Sequence, residues 1–151
     1  MVRRIRFTRK GYEKLKKEYE NLLKERPVAV LELKKAREMG DLSENGYYKA
    51  SRAKLSEIDR NTRKILLNLK RALVVDDSKN NYVGIGSTIR LSDGRKEMTY
   101  YIVGDLEANP GLGKISLLSP IGRAVENKKA GDTIKVHTPS KKINYKILAI
   151  S

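Results

Sequence analysis

The apolar and small residues of the first half of the chain are arranged as mirror images about Leu42. Reading outward, the N-terminal side gives Ala36, Leu33, Ala29, Arg26, Leu22, Tyr19, Leu15 and Tyr12. The C-terminal side gives Tyr48, Ser51, Leu55, Ile58, Thr62, Ile65, Leu69 and Ala72. Both series advance by alternating threes and fours, the spacing that keeps one helix face against a partner. Folded at Leu42, each residue of the first series meets its counterpart in the second, which predicts an antiparallel α-helical coiled-coil hairpin. Arms of about 30 residues reach about 45 Å at 1.5 Å per residue. Such a hairpin draws its stability from a thin seam rather than a core. The stretch Glu38 to Gly46, with the carboxylates Asp41 and Glu44, then sits at the far tip.

Local signals place the ends. Thr8 can cap a first helix running from Lys10 to Met39. Pro27 removes a backbone N–H and predicts a kink or short break near Glu25 to Val28. Arg26 at a seam position implies that packing loosens there or that the guanidinium snorkels outward. Gly40 ends the helix, and a second runs from Ser43 to Leu73.

Asp76 to Asn81 has turn composition and reads as a linker. Beyond it the period becomes strand-like, at Ser87–Leu91, Met98–Val103, Lys114–Leu118, Asp132–Thr138 and Ile143–Ile150. Ser119-Pro120 opens a short helix from Ile121 to Glu126. The chain thus divides into a hairpin domain, 1–75, with an acidic tip at 40–45, and a compact α+β antiparallel-sheet domain, 76–151.

The formal net charge is +15. Residues 1–75 carry 21 Lys or Arg against 10 acids and residues 76–151 carry 12 against 8, so the rod is the part expected to meet a polyanion. A plain solvated lysine-rich coil is the competing reading. With no cysteine, disulfides and thiolate zinc sites are excluded. No apolar run is long enough for a signal h-region or a bilayer span, so a soluble, intracellular protein without a membrane partner is expected. His137, between Val136 and Thr138, reads as an ordinary strand residue.

The tip has two readings. In Asp41-Leu42-Ser43-Glu44 the spacing fits a capping arrangement at the start of the second helix, with Ser43 an equal candidate for the cap. Alternatively, two hard oxygen ligands on one turn can share a divalent cation such as Mg²⁺, which keeps several waters and needs a further ligand from elsewhere. Two acids on a protruding tip cannot make a complete catalytic site alone.

The run Ala36-Arg37-Glu38-Met39-Gly40-Asp41-Leu42-Ser43-Glu44-Asn45, with Tyr48 and Arg52, closely resembles the tip of the bacterial GreA/GreB transcript-cleavage factors. The resemblance extends through Phe7 to Leu15, Glu25-Arg26-Pro27, Ile85-Gly86-Ser87, Ser119 to Ala124, Gly131-Asp132 and Thr138-Pro139, and so covers essentially the whole chain. It implies an accessory factor rather than an enzyme, a monomer whose hairpin enters the secondary channel of a backtracked bacterial RNA polymerase. By the same resemblance Asp41 and Glu44 are catalytic and are metal ligands, to a Mg²⁺ shared with the polymerase active site and not bound by the factor alone. The polymerase then cuts the 3′ end of the nascent RNA.

Ser43 and Asn45 match tip positions that orient the acids or contact RNA. Arg37 and Arg52, with Lys34, Lys35 and Lys49, form a basic collar suited to RNA phosphates. Tyr48 can stack a base, although its seam position favours packing. The C-terminal domain looks like the family's FKBP-like domain, which docks on the polymerase rim, and Ser119, Pro120 and Ile121 match its docking loop. For Pro120 the plain alternative is a helix start.

Gly46-Tyr47 stands where relatives often carry Ala and an acid, which makes the second helix start more flexible and less negative. Net charge leans toward a GreB-like preference for longer extruded RNA. The rival within the same shape is a secondary-channel inhibitor that does not stimulate cleavage, against which retention of both acids argues. A prolyl isomerase reading fails for want of an aromatic-walled pocket: there is no Trp, and the only Phe lies in the rod half.

Overall fold

A computed structural model describes residues 2–40, 44–77 and 81–151. Asp41, Leu42 and Ser43 of the tip, and Ser78, Lys79 and Asn80 of the expected linker, lie outside the described residues.

The mirror pattern becomes two long helices, α1 (Arg9–Arg37) and α2 (Gly46–Arg71). Their buried residues are Ala29, Leu33, Ala36, Ser51 and Ile58, every one a seam position. The other seam residues are half-buried, apart from Arg26, which is exposed. Arg26, facing Ile58 in the mirror, extends outward and pairs with the neighbouring Asp59, Nε to Oδ1 at 2.7 Å. Glu32 and Lys54 make a second cross-helix pair at 3.4 Å, so the register follows the sequence mirror.

Of the two readings of Arg26, the guanidinium therefore turns out to solvent. The break expected near Pro27 does not occur, because α1 runs unbroken through it. Proline withdraws the N–H that the Leu23 carbonyl would accept. Leu23 lies on the exposed side, where solvent can supply a donor, whereas a break would cost the seam its Leu22–Ala29 continuity.

The hydrogen bond from Arg26 holds the Asp59 carboxyl below its ordinary value. A depressed folded value means that the pair supports folding above the unfolded value and loses that support as pH falls through the folded one. Asp59→Asn is therefore expected to melt slightly below the parent near neutral pH, with the difference closing as the pH falls below the ordinary carboxylate range. Parallel melting curves across that range check it, and high salt shrinks the effect because the pair is exposed.

The second unit is woven from both ends of the chain. Strand β1 (Ile5–Phe7) pairs in parallel with β2 (Ala72–Val74), Ile5 opposite Ala72 and Phe7 opposite Val74. The second helix thus stops at Arg71, short of the expected Leu73, because the following β-branched and apolar residues enter a strand. Contacts divide the chain into Met1–Tyr12 with Ala72–Ser151, and Glu13–Arg71.

The side chains of Asp105, Glu107 and Glu126 reinforce the weave. The Arg6 backbone N–H donates to Asp105 Oδ2 at 2.7 Å, and its guanidinium pairs with the same carboxylate at 3.1 Å and with Glu126 at 3.3 Å. The Thr8 N–H and hydroxyl both donate to the Glu107 carboxylate, while Thr8 Oγ1 accepts from the Gly11 N–H at 3.0 Å. Thr8 is the expected cap of α1. A Cβ on Gly11 would come within 2.2 Å of Glu107, so glycine is what admits the carboxylate.

The sheet of this unit contains β3 (Thr88–Ser92), β4 (Glu97–Val103), β5 (Lys114–Ser116), β6 (Thr133–His137) and β7 (Lys142–Ile150), in the order β5-β4-β3-β7-β6. It is antiparallel except for the β4–β5 pair, which is parallel, so the sheet is mixed rather than purely antiparallel. Alternation buries Ile89, Leu91, Ile102, Ile134, Val136 and Ile147 on one face, where Val125 of helix α3 (Pro120–Val125) joins them. The opposite face is open. Among the described residues no helix is long and apolar enough to cross a membrane.

Candidate functional site at the hairpin tip

Helix α1 ends on cations. Lys34, Lys35 and Arg37 occupy its last turn, where the carbonyl ends of the helix favour positive charge. Gly40 follows at φ +115°, a conformation that suits glycine.

Asn45, on the far side of the tip, joins the two helix ends. Its Oδ1 accepts from the Tyr48 N–H at 3.1 Å, capping α2, and its Nδ2 donates at 3.0 Å to the Ala36 carbonyl of α1, an acceptor it shares with the Met39 N–H. One amide side chain thereby staples the two helix ends together. The second helix accordingly starts at Gly46 rather than near Ser43, since Asn45 supplies the cap.

This reassigns the tip. With Asn45 as cap, Glu44 lies before the first residue of α2, Gly46. Glu44 is exposed; Asp41 and Ser43 lie outside the described residues. Lys49 and Arg52 on the first turns of α2 are exposed, as are Lys34, Lys35 and Arg37, so five cations flank the tip from both helices. Tyr48 is half-buried at its seam position, which fits packing.

Among the described residues no three His, Cys, Asp or Glu side chains gather to hold a metal. The side-chain donors that the sequence supplies at the tip, Asp41 and Glu44, are hard carboxylate oxygens, which match Mg²⁺ in kind. Asn45→Ala is expected to destabilise the hairpin by about 1 kcal/mol through loss of the cap. Faster amide exchange confined to residues 36–49 would register it.

The second predicted site lies at the start of α3. Ser119 Oγ accepts from the Gly122 N–H at 3.0 Å and donates to the Ser116 carbonyl at 2.8 Å, a capping role. Ile121 packs against the core, whereas Pro120 at the first helical position is exposed. Gly122 has no room for a side chain, since a Cβ would lie 2.0 Å from the Ser116 carbonyl oxygen. The two sites belong to different units.

Sequence reasoning assigned Asn45 to orienting acids or touching RNA and missed its staple. The signal was there, an Asn three residues before Tyr48 at a helix start. It also missed Asp105 and Glu107, for which Gly11 in the first turn of a helix was the clue.

The chain matches the family described as "Transcription elongation factor, N-terminal" over residues 5–74 and that described as "Transcription elongation factor, GreA/GreB, C-term" over 78–151. It is 41% identical over 156 residues to transcription elongation factor GreA of Thermodesulfovibrio yellowstonii, covering 100% of this chain and 99% of that one. It is 42% identical over 147 residues to transcription elongation factor GreA of Nitratiruptor sp., covering 95% and 90%. Among solved structures, that of the transcription factor Gfh1 aligns over 99% of each chain with a TM-score of 0.50 and 25% identity.

Proposed function

This chain belongs to the GreA/GreB family of transcription elongation factors, and we propose that it enters the secondary channel of a bacterial RNA polymerase and stimulates cleavage of backtracked nascent RNA. The observation that carries this reading is the cap: Asn45 closes the second helix, leaving Glu44 exposed and outside the capping arrangement.

In this reading the factor is an accessory rather than an enzyme. Asp41 and Glu44 are offered to a Mg²⁺ shared with the polymerase active site. When bound there, the ion supplies Lewis acidity that makes a water nucleophilic at neutral pH. The chain's own residues position and screen. Asn45 fixes where Glu44 emerges, and Lys34, Lys35, Arg37, Lys49 and Arg52 hold phosphates of the extruded RNA 3′ segment near the acids. Pro120, at the exposed start of α3, is the docking contact with the channel rim, while Ser119 and Ile121 set its position. The protein acts as a monomer in the cytoplasm.

The test is an elongation complex stalled in a backtracked register with 5′-labelled RNA. Adding the protein with Mg²⁺ should shorten the labelled RNA and release a 3′ fragment, after which nucleotides restart extension. Slower extension with uncut RNA would replace this reading with that of a secondary-channel inhibitor.

A further inference from the structure

We propose that the open face of the five-stranded sheet binds single-stranded nucleic acid, holding its backbone with lysines of β6 and β7 and stacking a base on Tyr101. This surface lies in the unit that does not contain the tip.

Alternation sends every second strand residue outward. On β6 and β7 this exposes Lys135, Lys142 and Lys146. Lys135 lies opposite Asn144, and Lys142 and Lys146 flank Asn144 two residues to either side. Lys135 is therefore a diagonal neighbour of both Lys142 and Lys146, with backbone positions about 7 to 8 Å apart, while Lys142 and Lys146 stand about 13 Å apart along β7. Like charges this close repel one another, and no carboxylate pairs with them among the described residues. The acid on the outward strand positions is Glu97, and it faces Arg90 at 3.6 Å on the adjoining strand pair. A polyanionic chain relieves that repulsion, and a flat face offers it continuous access.

The aromatic partner is on the same face. Tyr101 is 45% exposed and lies in register with Lys114. Its ring runs beside Gly113, whose φ of +71° favours glycine; a Cβ added there would sit 3.8 Å from the ring. The neighbour that would otherwise cover the ring thus has no side chain. From β4 across β3 and β7 to β6 is about 15 Å at the usual strand spacing. A ring at one end of such a path and cations at the other make a stacking platform joined to an electrostatic groove, the combination that holds single strands without reading their sequence.

Fluorescence anisotropy of the full-length protein with labelled oligouridylate and oligothymidylate of about 20 nucleotides, across a salt series, tests this. Replacing Lys135, Lys142 and Lys146 together by alanine should weaken binding at least about tenfold and reduce the log–log salt slope by about 2, three contacts at about 0.7 each. Tyr101→Ala should weaken binding about tenfold while leaving the slope unchanged. Because the rod is also basic, replacing Lys14, Lys17 and Lys64 by alanine serves as the charge-matched control. It should leave the effect of Tyr101→Ala intact. Photocrosslinks from 4-thiouridine in the oligonucleotide should map to residues 97–150, and unchanged melting temperatures show that the variants fold.

The proposal falls if both sheet variants bind as the parent does, or if crosslinks map only to residues 9–71. It also falls if the triple variant loses affinity for RNA polymerase while binding the oligonucleotides normally, which would make the face a contact for an acidic protein surface.

Discussion

Alanine at Asp41 or Glu44 is expected to reduce stimulated RNA cleavage in backtracked complexes about 100-fold or more, with polymerase binding nearly unchanged. The size follows from the kind of interaction removed. A divalent ion held by these acids would activate a water and stabilise the negative charge that develops on the phosphate oxygens, effects worth several kcal/mol of transition-state stabilisation, and each 1.36 kcal/mol is a factor of about ten in rate. Binding survives because the acids are two side chains at one end of a long contact surface, and removing negative charge from a tip bearing five exposed cations does not weaken its attraction to RNA. Single-turnover cleavage, with binding measured separately by competition, checks both halves. Normal cleavage by either variant would remove that acid from the catalytic role.

Gly122→Ala is expected to destabilise the globular unit by about 3 kcal/mol or more. The clash is with backbone, the Ser116 carbonyl oxygen at 2.0 Å and the Leu117 Cα at 2.7 Å, so no rotamer change relieves it. Either α3 lifts away from the end of β5, uncovering Val125, or the strand end shifts. For a unit of this size the loss corresponds to a fall of about 15 °C in melting temperature, readable by calorimetry. Docking should weaken with it, since Pro120 sits on the displaced turn. A variant that melts like the parent would mean that the turn accommodates a methyl group without moving.

The hairpin was legible because an antiparallel seam writes itself twice. Leu33 and Ser51, or Arg26 and the neighbourhood of Ile58, constrain each other through one mirror, and burial of Ala29, Leu33, Ala36, Ser51 and Ile58 follows it. The strands of the C-terminal half were legible from alternation. The β1–β2 pairing was not, because Ile5–Phe7 and Ala72–Val74 are each too short to show a period, and what joins them lies far apart in sequence. Glu107 as a partner of Thr8 was hidden for the same reason.

The tip was legible in its residue types, while the start of its second helix was expected near Ser43 rather than at Gly46. Several adjacent side chains there can cap a helix, and only the fold decides that Asn45 does so while also reaching back to Ala36. Net charge leans toward a GreB-like factor, whereas the curated relatives described above carry the GreA name. Summed charge reports attraction to polyanions and carries no information about subtype.

The parallel pairing of β1 with β2 makes the helical hairpin an insertion: the chain leaves the globular unit beside the point where it returns. Probe length is thus an adjustable dimension. Excising one heptad from each arm at mirrored positions keeps the seam in phase and shortens the rod by about 10 Å, while both strand entrances stay where they are. Conversely, severing the chain between residues 75 and 76 removes β1 and β2 together and leaves Asp105 and Glu107 without Arg6 and Thr8, the residues they hold, so the globular half is a product of the whole polypeptide rather than of its second half.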